Sequence, residues 1–414
     1  MKFYFPDSQD LVSPTYDFLR DEYSPLRVRQ RDDLYAHEVL KPTPYDGILV
    51  SKAIVDGSVT GSGKYTTAQR ERLFRFGVQK FFRLPAGVES LGDCGAFNYV
   101  NEDVPPYTVE EVLDYYERCG FDAGVSVDHV VLAYDRNAGA DNAPAEWAAR
   151  RRISLDYAER FINAARDQRS LVQPVGAAQG WSPGSYADSV RQLQDMGYVR
   201  IALGGMVPLR TPDIIESLTA IDDVRKPGVS LHLLGVTRVN AMEQFAVLGV
   251  DSFDSTSPFR QAFMDDRNNY YTRDDRYVAI RVPQVDGNPA LKRAILGGVV
   301  SQKEAVRVER ACLRGLRAFD TGQITVDEVI GHLGEYETLV QSKKTYLDEY
   351  RRTLEEAPWK SCQCSICQDC GIEVVMFRGT ERNKRRGFHN IAVFGQAVRD
   401  LQLPVRKARK KNAR

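Results

Sequence analysis

Short apolar runs, each closed by a carboxylate, an amide or a glycine and followed by helical periodicity, recur through the first 258 residues. Lys2-Phe3-Tyr4-Phe5 alternates like a strand, and Gly47-Ile48-Leu49-Val50 is the continuous apolar kind expected of a buried parallel strand. From residue 88 the rhythm is regular. Val88 to Leu91 leads to Asp93, Ala123 to Val127 leads to Asp128-His129, and Leu171 to Ala178 leads to Gln179-Gly180. Val199 to Leu203 leads to Gly204-Gly205, Leu231 to Leu234 follows, and Val250 to Phe253 stops at Asp254. Helix signals lie between. Thr108 with Glu111 forms a capping box, Ser154 opens a helix with Ala158, Phe161, Ile162 and Ala165 on one face, and a helix starting near Ser185 stops at Gly197. Thr211 reads as an N-cap ahead of Pro212, and Asn240 with Glu243 as a second capping box.

Eight strands alternating with helices predict a parallel sheet, and the count predicts a closed (β/α)8 (TIM) barrel over an open doubly wound sheet. In such a barrel Asp93, Asp128, Gln179, Gly204, Gly205 and Asp254 share the face that carries chemistry. Taken alone, Asp254 could equally cap a helix or brace its loop. In that ring it is a catalytic candidate: one carboxylate can attack, one can shuttle a proton and one can grip a donor group. The Ser255-Thr256-Ser257 stretch beside it either holds a sugar-phosphate or braces the loop.

Past residue 258 the texture changes. A stretch rich in Tyr, Arg and Asp gives way to long helical patterns carrying Val306, Ala311, Leu313, Leu316 and Phe319. The predicted organisation is a barrel catalytic domain over 1–258, a polar loop and helical insertion over 259–355, a zinc-binding subdomain over 356–400 and a basic tail over 401–414. The zinc expectation rests on Cys362, Cys364 and Cys367 followed by His389, which can surround one tetrahedral Zn2+; Cys370 is a rival fourth ligand. Four protein ligands leave no open position, which makes the site structural and weighs against a zinc hydrolase.

Charge adds one asymmetry. The 56 Lys/Arg and 56 Asp/Glu balance, yet twelve basic residues face two acidic ones between Arg378 and Arg414. That end reads either as a phosphate-backbone contact or as a solvated tail. No apolar run of about 18 residues appears, so no membrane-spanning helix is expected. The start, MKFYFPDSQD, lacks the basic and apolar regions of a signal peptide, so the expected location is cytoplasmic. Gly61-Ser62-Gly63-Lys64 is followed by Tyr65 and lacks the spacing of a phosphate-binding loop; a flexible loop is expected there.

Asp93-Cys94-Gly95-Ala96-Phe97-Asn98, Gln179-Gly180, Ala202-Leu203-Gly204-Gly205-Met206, Leu233-Leu234-Gly235-Val236 and Phe253-Asp254-Ser255 resemble strand ends of the tRNA-guanine transglycosylases. So does the zinc pattern with its His389-Asn390-Ile391 tail. Those enzymes exchange guanine for a 7-deazaguanine without breaking the strand. The resemblance implies Asp254 as nucleophile at the anomeric carbon and Asp93 as general acid/base. It implies that Asp128 accepts from the N1–H and exocyclic amine of the base. Gln179 and the N–H of Gly205, beside Gly204, would bind its other polar edge, and Phe97 and Leu234 would sandwich the ring. The target nucleotide must leave its stack to enter such a site.

Ala96, Cys94 and Asn98 stand where the family has glycine, serine and glutamine, the helical insertion is longer, and Lys384-Arg385-Arg386 falls inside the zinc region. In these features the chain resembles the family's DNA-modifying branch, which inserts 7-cyano-7-deazaguanine into DNA. That likeness implies DNA as the macromolecular substrate, with tRNA as the alternative, a 7-deazaguanine base as co-substrate and an ATPase partner. The tRNA enzymes pair through their zinc regions; a homodimer is one reading here, and an insertion with altered loops that blocks or replaces that pairing is the other. A non-catalytic partner subunit is the alternative of another class, and the presence of Asp254 weighs against it.

Overall fold

The computed structural model describes residues 1–401 apart from 8, 58–62, 140–141, 341 and 343. Gly61, Ser62 and the basic tail beyond Leu401 therefore lie outside the described residues.

Eight strands, β1 (Lys2–Pro6), β2 (Gly47–Ser51), β3 (Glu89–Asp93), β4 (Ala123–Val125), β5 (Gln173–Ala178), β6 (Arg200–Leu203), β7 (Ser230–Leu233) and β8 (Val250–Asp254), close in sequence order into a parallel barrel. β8 returns to β1 through Phe3 opposite Phe253. The fold is a (β/α)8 barrel, as the alternation of runs predicts. Tyr4, Leu49, Leu91, Ala123, Val125, Val175, Ala177 and Ala202 form a buried cluster. Leu49 is in register with Leu91, and Leu91 with Ala123. Burying a side chain such as Leu91 is worth roughly 1.5–3 kcal/mol. Because Leu49, Leu91 and Ala123 fix the register, β2 and β3 end level, with Ser51 opposite Asp93.

The helices differ from expectation at their starts. Thr108 and Glu111 do form a capping box. The helix expected from Ser154 begins at Ala145 and runs to Asp167, and the Ser154 hydroxyl instead accepts the His129 N–H at 2.9 Å. The charged run Arg150-Arg151-Arg152 hides the first part of that helix from a periodicity argument. Arg210, not Thr211, is the N-cap of the helix Thr211–Val224, with Pro212 in its first turn. Asn240 and Glu243 form no capping box: a short 3-10 turn, Val239–Ala241, feeds the helix Met242–Val247. A helix absent from the sequence expectation, Thr67–Phe81, is capped by Thr66 and Gln69 and interrupted at Gly77, whose φ of 72° breaks the helical period.

Residues Met1–Gln9, Tyr45–Thr256 and the chain from Val398 group as one unit; Asp10–Pro44 and Ser257–Ala397 group as a second. Residues 10–44, assigned to the barrel domain from sequence, thus fall in the second unit. That unit contains the helices Gln302–Asp320, Val326–Leu339, Leu347–Glu356 and most of Gly379–Arg399. Its basic run faces inward. Arg378 donates to Glu309 at 2.7 Å and Asp21 at 2.6 Å, and Arg382 donates to Glu373 at 2.6 Å and to Asp21. Arg385 donates to the Ser13 carbonyl at 2.6 Å, and Arg386 to the carbonyls of Ala262, Val374 and Met376. A buried guanidinium is tolerated only when its donors are used in this way. From Arg378 to Arg386, therefore, the arginines that read as a phosphate contact are internal cross-links. Among the described residues no helix is long and apolar enough to cross a membrane.

Candidate active site and metal centre

Six of the barrel strands, β3 to β8, supply the polar groups of one rim. Asp93 ends β3, and its Oδ2 accepts the Gly95 N–H at 2.8 Å. Burial, then the negative charges of Asp128 and Asp254, push its carboxyl up to about 7, against the opposing pull of the Gly95 and Cys94 N–H groups. The three carboxylates are therefore close enough to feel one another.

Asp128 follows β4 and is buried. Its Oδ2 accepts from Gln179 Nε2 at 2.6 Å, and burial raises its carboxyl to about 6 although that bond favours the charged form. Gln179, just after β5, is held at its other end: Oε1 accepts the Val131 N–H at 3.2 Å. The two glycines after β6 exist for this amide. A Cβ on Gly204 would lie 2.1 Å from Gln179 Nε2, and one on Gly205 would lie 2.4 Å from the Val131 carbonyl. Gly205 also has a φ of 73°, which favours glycine. Tyr186 donates to the Gly204 carbonyl at 2.8 Å and fixes the turn.

Asp254 ends β8 and is 6% exposed. Its Oδ1 takes both the Gly235 N–H, at 2.9 Å, and His232 Nε2, at 3.2 Å. His232 lies inside β7, fully buried, with Nδ1 2.8 Å from Ser252 Oγ. Burial keeps the imidazole below its usual range against the pull of Asp254, so it is neutral at pH 7. A carboxylate only accepts, which places the proton on Nε2 and makes Ser252 the donor to Nδ1. Both donors fall on Oδ1, and among the described residues no hydrogen bond falls on Oδ2.

The remaining candidates are placed less tightly. Leu234 packs against the interior cluster, and Phe97 is 49% exposed on the 3-10 turn Ala96–Tyr99. Cys94 points away from the rim, its Sγ lying 3.6 Å from Tyr116 Oη and bonded to the Val125 carbonyl. Ser255 braces its loop by accepting from Thr237 Oγ1. Sequence reasoning passed over two residues here. His232 sits in an apolar run, Leu231-His232-Leu233, with no local signal of a partner 22 residues on. Ser51, in register with Asp93, keeps a buried hydroxyl without a partner among the described residues.

In the second unit Cys362, Cys364, Cys367 and His389 bring their ligand atoms within 4.8 Å of one another. His389 Nδ1 lies 3.6, 3.4 and 3.3 Å from the three sulfurs in that order. Zinc bonds of about 2.3 Å to sulfur and 2.0–2.1 Å to nitrogen give a tetrahedral edge of about 3.6 Å, so the four groups fit a zinc ion. His389 Nε2 is 2.7 Å from the Tyr271 carbonyl, which leaves Nδ1 unprotonated as a ligand. Cys370 is outside this cluster and instead accepts from Arg385.

The family model described as queuine tRNA-ribosyltransferase matches residues 97–402, which includes most of the rim and all four cluster residues. The chain belongs to that family. It is an enzyme, a pentosyltransferase of the transglycosylase type. Among its relatives is a DNA-guanine transglycosylase of Salmonella montevideo, 47% identical over 399 residues that cover 95% of each chain. A tRNA-guanine(15) transglycosylase of Thermococcus onnurineus (strain NA1) is 23% identical over 217 residues, 51% of this chain and 33% of that protein.

Proposed function

We propose that the chain is a DNA-guanine transglycosylase that replaces guanine in DNA by a 7-deazaguanine through an ester to Asp254. The observation that carries the DNA assignment is the 47% identity, over 95% of both chains, to a relative of that name. The 7-cyano form is the base implied by the likeness to the DNA-modifying branch.

The rim supports a double displacement. Oδ2 of Asp254 attacks C1′ of the extruded nucleotide, the bond from C1′ to the base breaks, and the departing guanine takes a proton from Asp93. The incoming base then gives a proton to Asp93 and attacks C1′ through its ring nitrogen, releasing Asp254. Two inversions at C1′ give retention, as in retaining glycosidases. Asp93 suits both steps because a carboxyl raised to about 7 is populated in both forms at neutral pH. Gly235 N–H and His232 hold Asp254 without occupying its attacking oxygen. Asp128, braced by Gln179, would accept from the donors of the base edge. Phe97 and Leu234 would stack on its faces. Zn2+ held by Cys362, Cys364, Cys367 and His389 would be structural and take no part in these steps.

Labelled guanine or 7-deazaguanine offered with duplex DNA or tRNA tests the assignment. Incorporation into DNA is expected; incorporation into tRNA alone would overturn it. An ATPase that opens the duplex would raise the rate, and its omission is one arm of the same assay.

A further inference from the structure

We propose that the helix Gln302–Asp320 carries a tract for the phosphate backbone of duplex DNA, formed by Lys303, Arg307, Arg310 and Arg314. The proposal rests on the reading of DNA as substrate and adds where its backbone is held.

The helix has two unlike faces. Ala305, Val308, Cys312, Leu313 and Leu316 are buried. Lys303, Arg307, Arg310 and Arg314 are exposed at successive intervals of four, three and four residues, which places them in one stripe. At 1.5 Å rise per residue the stripe is about 16 Å long. One strand of B-DNA carries about five phosphates over that length.

Several exposed arginines elsewhere in this unit sit beside carboxylates, although Arg260 and Arg293 have no ion pair among the described residues. Arg351 pairs with Asp327 at 2.6 Å, Arg281 with Asp266 at 2.6 Å, and Arg352 with Glu356 at 2.9 Å. On the stripe only Arg307 is paired, with Glu304 and Glu335. Among the described residues Lys303, Arg310 and Arg314 have no hydrogen-bond or ion-pair partner. Three cations are thus left with their charge uncompensated by protein, a cost in self-repulsion that a polyanion relieves.

The surface is also concave. A hollow of about 560 Å³ is lined by the four basic side chains with Gln302 and Val306, and among the described residues no carboxylate lines it. A second, of about 640 Å³, shares Arg310 and Arg314 and adds Arg20, which pairs with Asp17, and Arg317, which donates to Glu373 at 2.6 Å and to the Phe18 carbonyl at 2.8 Å. Asp21 and Glu309 line this second hollow as well, but they are engaged by the buried Arg378 and Arg382; Glu22 is its other acid. Arg378, Arg382, Arg385 and Arg386 are tied up internally, so they cannot take this role.

The test measures binding of the full-length protein to a duplex of about 25 base pairs across a salt series. The variants are Arg310→Gln/Arg314→Gln and a control, Arg351→Gln/Arg352→Gln, with melting temperatures confirming that both fold. Each lost phosphate contact removes about 0.9 from the slope of log K against log salt, so the tract variant should lose about 1.8 and the control should not change. Binding should weaken about equally for unrelated sequences, since backbone contacts carry no sequence information. An unchanged slope, an equal loss in the control, or wild-type protein that binds tRNA and not duplex would overturn the proposal. Exchange into DNA with an unchanged variant slope would sink the tract and leave the enzymatic reading. Duplex binding that depends on the two arginines, without base exchange, would do the reverse.

Discussion

Asp93 and Asp128 are two carboxyls of the same rim that differ in what each one bonds. Asp128 has Gln179 Nε2 at 2.6 Å and is raised only to about 6; Asp93 has backbone N–H groups and two anionic neighbours and reaches about 7. Asp93→Asn should lower base exchange by at least 10²-fold, measured by incorporation of labelled base. It should also change stability in a pH-dependent way. The folded carboxyl titrates near 7 and the unfolded one near 3.8, so the folded state binds the proton more tightly. That stabilisation is full below pH 4 and lost as pH rises to 7. The melting temperature of Asp93→Asn relative to wild type should therefore rise from pH 4 to pH 8; a constant difference would show that the carboxyl is not perturbed.

His232 is buried and bonds Asp254 Oδ1, so in the proposed mechanism it would act through Asp254. His232→Phe keeps a ring in the strand but removes the Nε2–H donor at 3.2 Å. A lost hydrogen bond to a carboxylate is worth about 1.5 kcal/mol, so kcat should fall roughly 10-fold with little change in KM for the base. A change confined to KM would argue that His232 belongs to the base site.

At the scale of elements, the rim depends on turns that accept no side chain. Gly204→Ala would drive a methyl to within 2.1 Å of Gln179 Nε2 and turn the amide away from Asp128. The expected result is a rise of 10-fold or more in KM for the free base, with the barrel still folded by circular dichroism. This turn was legible in the sequence, as were the eight strands, because buried parallel strands are continuous apolar runs that end abruptly in polar residues. Helix starts were less legible. The cap at Asn240 does not form because a 3-10 turn takes its place, and Thr67–Phe81 escaped notice because Gly77 breaks its period. Asp93, Asp128, Gln179 and Asp254 could be named from their place at strand ends. His232 could not, since its meaning lies in a neighbour on the next strand. Arg378 and Arg382 read as part of a phosphate contact for the same reason: Asp21, which neutralises both, is more than 350 residues away in sequence.

On the scale of the whole molecule, the chain divides its labour between a barrel unit that holds the rim and a second unit that holds the Cys362, Cys364, Cys367 and His389 cluster. If that cluster binds structural zinc, metal binding is folding energy for its own unit. Prolonged treatment with a strong chelator should lower the melting temperature and release one zinc per chain, and Cys367→Ser should do the same without chelator. Cys370→Ser should not release metal, because Cys370 bonds to Arg385 outside the cluster. Retention of zinc by Cys367→Ser would contradict the ligand set.

The measurement that bears most directly on the proposed chemistry is peptide mapping of enzyme quenched by denaturation during turnover on duplex DNA. A deoxyribosyl ester on the peptide containing Asp254 is expected, and no adduct in Asp254→Ala. An adduct on Asp93, or one that persists in Asp254→Ala, would show that a different carboxylate attacks the sugar.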